Sequence, residues 1–371
     1  MRILGIETSC DETSASIIEA KKGNKTVTLV SNIISSSVKL HAKTGGIIPE
    51  NAAREQIKYI LPVIKQALSP IFSSRLTSHF PSSPSIDAIA VTYGPGLIGS
   101  LLVGVETAKT LSYVFKKPIV PVNHLLGHIY ANWINPVIPN SFRDLPHDEK
   151  EMLNQEVQHD KIEFPAVALL VSGGHTDLIL MKAHGSIKWL GGTRDDAAGE
   201  ALDKIGRLLG LSYPAGPIIE QLAKNGNLKA YKFPRPMIGT NDFDFSFSGL
   251  KTAVLQEVSG IKKYQVLRKK IPDIAASVQQ AICDVLIRKT IKAAKKYKPK
   301  SILLGGGVVA NEELKRQLIL NTKYELPDTE IFFPKKFLCT DNAAMIATAA
   351  FFNYKPAPVN KITANPELYF D

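Results

Sequence analysis

Short apolar runs with the character of buried strands recur along this chain, at residues 3–6, 14–18, 88–92, 119–122, 166–171, 178–181, 301–304 and 330–333. Helical segments lie between them, and that alternation restricts the chain to an α/β fold. Two passages, 3–18 and 167–182, share one plan: an apolar strand, a polar turn (7–13 and 172–177) and a second apolar strand. The shared plan raises a duplicated lobe as one reading, beside a chance likeness of pattern.

At 371 residues and 44% hydrophobic content the chain is long enough for two lobes with real cores, which excludes a disordered or collagenous protein. Two stretches read as surface insertions, a Ser/Pro-rich one near 70–85 and a polar, mainly acidic one near 136–163. The net charge is +11, and residues 261–300 hold twelve Lys/Arg against Asp273 and Asp284. Such a strip suits a phosphate backbone or an ordinary solvated helix face. Cys10, Cys283 and Cys339 are odd in number and form no C-x-x-C, so neither a disulfide framework nor a thiolate zinc site is expected. The apolar stretch 88–105 is interrupted by Gly94-Pro95-Gly96 and reads as a strand, a glycine turn and the start of a helix, not a membrane span. The first residues enter a strand directly, which makes the cytoplasm the expected compartment; a mitochondrial one would require a targeting segment ahead of this sequence.

Three patterns bear on chemistry. In HLLGH, His124 and His128 stand one helical turn apart, so both imidazoles can reach one metal ion. Asp341, just ahead of the helical run 343–352, is either a third ligand or a helix cap. Glycine turns follow the strand-like runs at 172–174 and 305–307, where backbone N–H groups can approach a phosphate or simply permit tight packing. Neither fits a P-loop, and the first fits no dinucleotide fingerprint. The turn ETSCDET (7–13) is either a solvated hairpin tip or a place where Asp11 and Glu12 orient an attacking group. Asp203, in the acidic stretch 195–204, is either an acceptor for ribose hydroxyls or part of an amphipathic helix.

The order ILGIETSCDET (3–13), HAKTGGIIPE (41–50), GPGLIGSLLVG (94–104), NHLLGH (123–128), LLVSGGHTDLI (169–179), DDAAGEALDK (195–204), YPAGP (213–217), DFSFSGLK (244–251), GGGVVANEEL (305–314) and CTDNAAMIA (339–347) resembles the tRNA N6-adenosine threonylcarbamoyltransferase family, bacterial TsaD type. The resemblance runs from the first strand to about residue 350. It implies an actin-like/sugar-kinase fold of two related lobes with a nucleotide cleft, divided here as 1–120, 121–347 and a tail 348–371 that packs on the first lobe. By position it makes His124, His128 and Asp341 the ligands of one divalent iron or zinc ion. Leu170, Val171, Ser172, Gly173 and Gly174 would cradle the phosphate side of the substrate, and Asp203, Gly216 and Asn311 its ribose and base. Asp11 and Glu12 would sit near the reacting centre. The implied reaction moves threonylcarbamoyl from threonylcarbamoyl-adenylate to N6 of adenosine 37, in tRNAs that read codons beginning with A, releasing AMP. The implied partners are a catalytically silent paralogue and a small ATPase, or a second copy of the chain, with no membrane. Departures from the family pattern are Asn123 for a frequent His and Leu126 for a frequent Glu, both beside the ligands, and, in other motifs, Ala215 for a Gly and Lys315 for an Arg.

Two rival activities remain. A zincin peptidase needs H-E-x-x-H, and Leu125 fills the slot of the base. A kinase of the same fold would rely on carboxylate-held magnesium and has no use for paired imidazoles.

Overall fold

A computed structural model describes residues 1–42, 44–71, 84–136, 161–260 and 264–370. They form two compact units: Met1–Lys39, Ile47–Ile162 and Phe332–Phe370 in unit 1, and Leu40–Gly46 and Glu163–Ile331 in unit 2. The cores of both expected insertions, 72–83 and 137–160, lie outside the described residues. No described helix is long and apolar enough to cross a membrane.

In unit 1 the strands β1 (Arg2–Glu7), β2 (Glu12–Glu19) and β3 (Val27–Ser36) form an antiparallel meander. A short helix, α1 (Val38–Ala42), precedes α2 (Pro49–Leu68), β4 (Ala88–Gly94), α3 (Ile98–Phe115), β5 (Ile119–Asn123), α4 (His124–Tyr130) and β6 (Ile134–Pro136). β4 lies parallel beside β1 and β5 parallel beside β4, giving the order β5-β4-β1-β2-β3-β6. Ile3, Leu4, Ile6, Ala88, Ile89, Ala90 and Val91 are completely buried, as strands covered on both faces require.

Unit 2 repeats the plan. β7 (Ala166–Val171), β8 (Thr176–Ala183) and β9 (Ser186–Gly192) form a meander, followed by α5 (Ala198–Leu208), α6 (Gly216–Ala223), α7 (Ser248–Ser259), α8 (Tyr264–Tyr297), β10 (Ser301–Gly305), α9 (Glu312–Glu325) and β11 (Glu330–Phe332). β10 lies parallel beside β7, and the order is β11-β10-β7-β8-β9. Strands β5-β4-β1-β2-β3 and β11-β10-β7-β8-β9 thus occupy equivalent places in two related α/β sheets, and the likeness of the two sequence passages is a likeness of β1-β2 to β7-β8.

The units divide at 162/163 and 331/332, not at the expected 120/121 and 347/348. β5 is a strand of the first sheet, so the segment after residue 120 cannot leave it. The chain also returns to unit 1 at Phe332, and its last helix, α10 (Ala343–Phe352), packs on β1, β2 and α4. Beyond α10 the tail stays in unit 1, where Ala357 N–H donates to Ile119 O (3.0 Å) and Asn365 N–H to Tyr93 O (2.7 Å).

Candidate functional site

Asn123, at the end of β5, caps α4 by accepting from Leu125 N–H (2.8 Å), which aims His124 and His128 from one face of the helix. Gly127 between them has no side chain because α10 lies against it: a Cβ there would stand 2.7 Å from Ile346 Cδ1 and 3.2 Å from Met345 Cγ. That close approach brings the start of α10 to the imidazoles. The cap of α10 is Asn342, whose Oδ1 accepts from Met345 N–H (3.1 Å), so the capping role considered for Asp341 belongs to its neighbour. Asp341 Oδ1 instead lies 3.6 Å from His124 Nε2 and 3.2 Å from His128 Nε2. Donors about 2.0–2.2 Å from a tetrahedral ion stand roughly 3.3–3.6 Å apart, so this spacing suits a shared cation. Neither ring nitrogen of the buried His128 makes a hydrogen bond to a described residue, and a cation is the partner that such an imidazole lacks. The residues present therefore fit a metal ion.

Glu7, at the end of β1 and fully buried, stands behind His124, with Oε2 at 3.0 Å from Nδ1. The carboxylate also accepts from Thr92 Oγ1 (2.5 Å) and Ser9 N–H (2.5 Å), while Ser9 Oγ lies 3.1 Å from the same Nδ1. Burial would push the Glu7 carboxyl up, but the charge and hydrogen bond of His124 outweigh it and hold Glu7 below its ordinary value. Burial likewise opposes the charge of His124, yet Glu7 and Asp341 raise its pKa to about 9.

The acidic turn is not a solvated hairpin tip. Thr8, Ser9 and Asp11 are buried, and Gln56 on α2 donates to the carbonyls of Thr8, Cys10 and Glu12 at 3.2, 3.0 and 3.0 Å. Glu12 is half-buried and accepts from Ser36 Oγ (3.0 Å). Burial first, then a hydrogen bond with Asp11 and the charges of Asp11 and Asp341, push its carboxyl up to about 10. Asp341 also acts on Cys10, whose thiol is pushed well up, by burial first and then by Asp11. Glu7 and Asp341 thus meet the imidazole pair from the end of β1 and from the start of α10, and a divalent cation balances such a cluster.

In unit 2, Leu170 and Val171 are fully buried in β7 and serve as the strand that carries the glycine turn. Ser172 N–H donates to His175 O (2.8 Å) and closes the turn, while Gly173 and Gly174 are exposed, with nothing within 4 Å of a Cβ built on either. Gly306, at φ +98°, lies beneath the turn, where a Cβ would run into the Val171 carbonyl. The second glycine motif is therefore used in packing. On α5, Asp203 Oδ1 accepts from Ala215 N–H (2.7 Å) and orders the turn before α6; burial raises its pKa despite the N–H groups of Ala215 and Gly216. Gly216 and Asn311 line a shallow hollow with apolar walls that include Leu202, Ile219, Ile282 and Val308. Asn311 caps α9 through Leu314 N–H (2.9 Å), and its amide donates to Gln279 Oε1 (2.8 Å), another residue of the hollow.

Glu7 and Gln279 escaped the sequence reading. Glu7 belonged to a turn already marked as polar, but only the position of β5 reveals its partner, and nothing local marks Gln279. Part of the basic strip is engaged within unit 2: Lys289 is fully buried against Thr240 and Asp242, Lys292 Nζ donates to Thr240 O (2.6 Å), and the more exposed Lys295 and Lys300 pair with Glu325 and Glu163.

The family model for tRNA N6-adenosine threonylcarbamoyltransferase matches residues 28–141 and 145–348. The protein of that name from Moorella thermoacetica is 45% identical over 353 residues, 95% of this chain and 92% of the relative. The one from Listeria welshimeri is 43% identical over 375 residues, 100% of this chain and 96% of the relative. Among solved structures, the activator of the 2-hydroxyisocaproyl-CoA dehydratase from Clostridium difficile with bound ADPNP matches with a TM-score of 0.48 at 12% identity, covering 95% of each chain.

Proposed function

The chain belongs to the tRNA N6-adenosine threonylcarbamoyltransferase family, and on that premise we propose that it transfers threonylcarbamoyl from threonylcarbamoyl-adenylate to N6 of adenosine 37, in tRNAs reading codons that begin with A. The observation that carries the site assignment is the convergence of His124, His128 and Asp341, with His128 buried and lacking a hydrogen bond to any described residue.

These three residues would hold one iron or zinc ion, which supplies Lewis-acid attraction for the threonyl moiety. In unit 2 the hollow with Gly216, Asn311 and nearby Asp203 would take the adenosine part, and the exposed backbone of Gly173 and Gly174 the phosphate. The exocyclic amine adds to the carbamoyl carbonyl, the bond from that carbon to the phosphate oxygen breaks, and AMP leaves with the electron pair. The amine's proton needs an acceptor, the part that Asp11 and Glu12 of the acidic turn would take. The remaining rate enhancement comes from positioning.

A peptidase is disfavoured because Leu125, in the slot of the zincin base, is completely buried. For partners, Ile57 and Leu61 on α2 and Ile98, Leu102 and Tyr113 on α3 are exposed, which suits docking of a silent paralogue or a second copy, with a small ATPase joining the assembly. The cytoplasm is the compartment that fits these substrates.

The test supplies threonylcarbamoyl-adenylate and unmodified tRNA to the purified chain, with and without its partners, and analyses the nucleosides by mass spectrometry. Threonylcarbamoyladenosine with matching AMP release is the expected result. Its absence with all partners present would overturn the proposal.

A further inference from the structure

We propose that Glu7 is a positioning residue for the metal site, fixing His124 so that its Nε2 faces the ion. The inference rests on the metal reading of His124, His128 and Asp341, and it extends that reading to a residue outside the ligand set. The His-His-Asp group does not include Glu7, whose oxygens are occupied: Oε1 accepts from Ser9 N–H (2.5 Å) and Oε2 meets both Thr92 Oγ1 (2.5 Å) and His124 Nδ1 (3.0 Å). Its place is behind the imidazole.

An acceptor at Nδ1 keeps the proton on that nitrogen, and the lone pair of Nε2 then points at Asp341 Oδ1, 3.6 Å away. Ser9 Oγ, also at Nδ1, adds a second restraint on the ring plane. Thr92, buried on β4, holds the carboxylate in turn, so a run of hydrogen bonds leads from β4 through the end of β1 to the first residue of α4. His128 makes no hydrogen bond to any described residue at either ring nitrogen. Within the pair, His124 is the ligand whose geometry is set in advance.

Zinc and cobalt titrations of the full-length chain, against a chromophoric chelator, test this. Wild type should take up one ion, Glu7→Gln should bind it about 10–100-fold more weakly, and the cobalt d–d bands of that variant should shift, with the metal-free melting temperature close to wild type. Should Glu7→Gln fail to fold, Thr92→Val leaves the carboxylate in place with one hydrogen bond fewer and should weaken binding about threefold. Unchanged affinity and an unchanged cobalt spectrum in the variants that fold would overturn the role of Glu7 alone. A wild-type chain that binds neither ion would overturn the metal reading as well.

Discussion

The β1-β2 turn of unit 1 and the β7-β8 turn of unit 2 stand at the same point of two related sheets and do opposite things. Each spans four residues, 8–11 and 172–175. Each has a glycine from the end of the neighbouring parallel strand beneath it: Gly96 at φ +154°, whose Cβ would meet Ser9 Cβ at 2.8 Å, and Gly306 at φ +98°, whose Cβ would strike the Val171 carbonyl. The first turn is buried under Gln56 and ends in Asp11, with Glu12 next; the second has exposed glycines with open space around them. On the proposed reading, one scaffold thus carries an acidic turn beside the cation site in one unit and a glycine turn for an anion in the other. The scaffold is common, and the turn residues set the chemistry.

The largest effect that would break this contrast is in unit 1. Asp341→Ala should leave the purified chain with almost no bound metal and lower transfer by more than about 100-fold, beyond the cost of losing an outer partner of a ligand. Metal analysis beside nucleoside mass spectrometry checks it, and full activity in the metal-depleted variant would remove the cation from the account. Next come the glycines that the turns share. Gly96→Ala and Gly306→Ala should each destabilise by about 2–3 kcal/mol in denaturant melts, since both combine a left-handed backbone with a backbone collision; a large difference between them would mean that the two turns are not equivalently built. Gly173→Ala should fold within about 0.5 kcal/mol of wild type. It should nevertheless bind AMP about tenfold more weakly by calorimetry, the equivalent of one hydrogen bond displaced. Normal AMP binding would deny the second turn its anion role.

A separate check is a pH dependence confined to the acidic turn. The Glu12 carboxyl is raised in the fold from 4.5 to about 10, so the folded state keeps a proton that the unfolded chain loses. Its contribution to stability is full below pH 4.5 and declines as pH rises towards 10. Melting temperatures of the metal-free wild type should therefore fall more steeply over that range than those of Glu12→Gln. Parallel curves would show that Glu12 titrates normally.

Much of this was legible in the sequence. β7 matches its apolar run end to end, and β4 with α3 matches the strand, glycine turn and helix read around Gly94-Pro95-Gly96. β3 and β9 escaped notice because they are only partly buried and carry Ser, Asn and Lys among their apolar residues. The paired imidazoles were visible from spacing alone, since helical periodicity places i and i+4 together. Asp341 was ambiguous because capping and ligation favour the same side chain, and only the packing of α10 on α4 through Gly127 separates them. The limits of the two units are hidden for a related reason: no local signal announces that the chain returns to unit 1 at Phe332.

The most direct measurement is anomalous diffraction from crystals of the zinc- or iron-loaded chain, collected at the metal edge. The account predicts one peak bonded to His124 Nε2, His128 Nε2 and a carboxylate oxygen of Asp341, with Glu7 behind His124 and out of bonding range. A chain that crystallises with metal at some other site, while those three side chains bond only to one another, would contradict it.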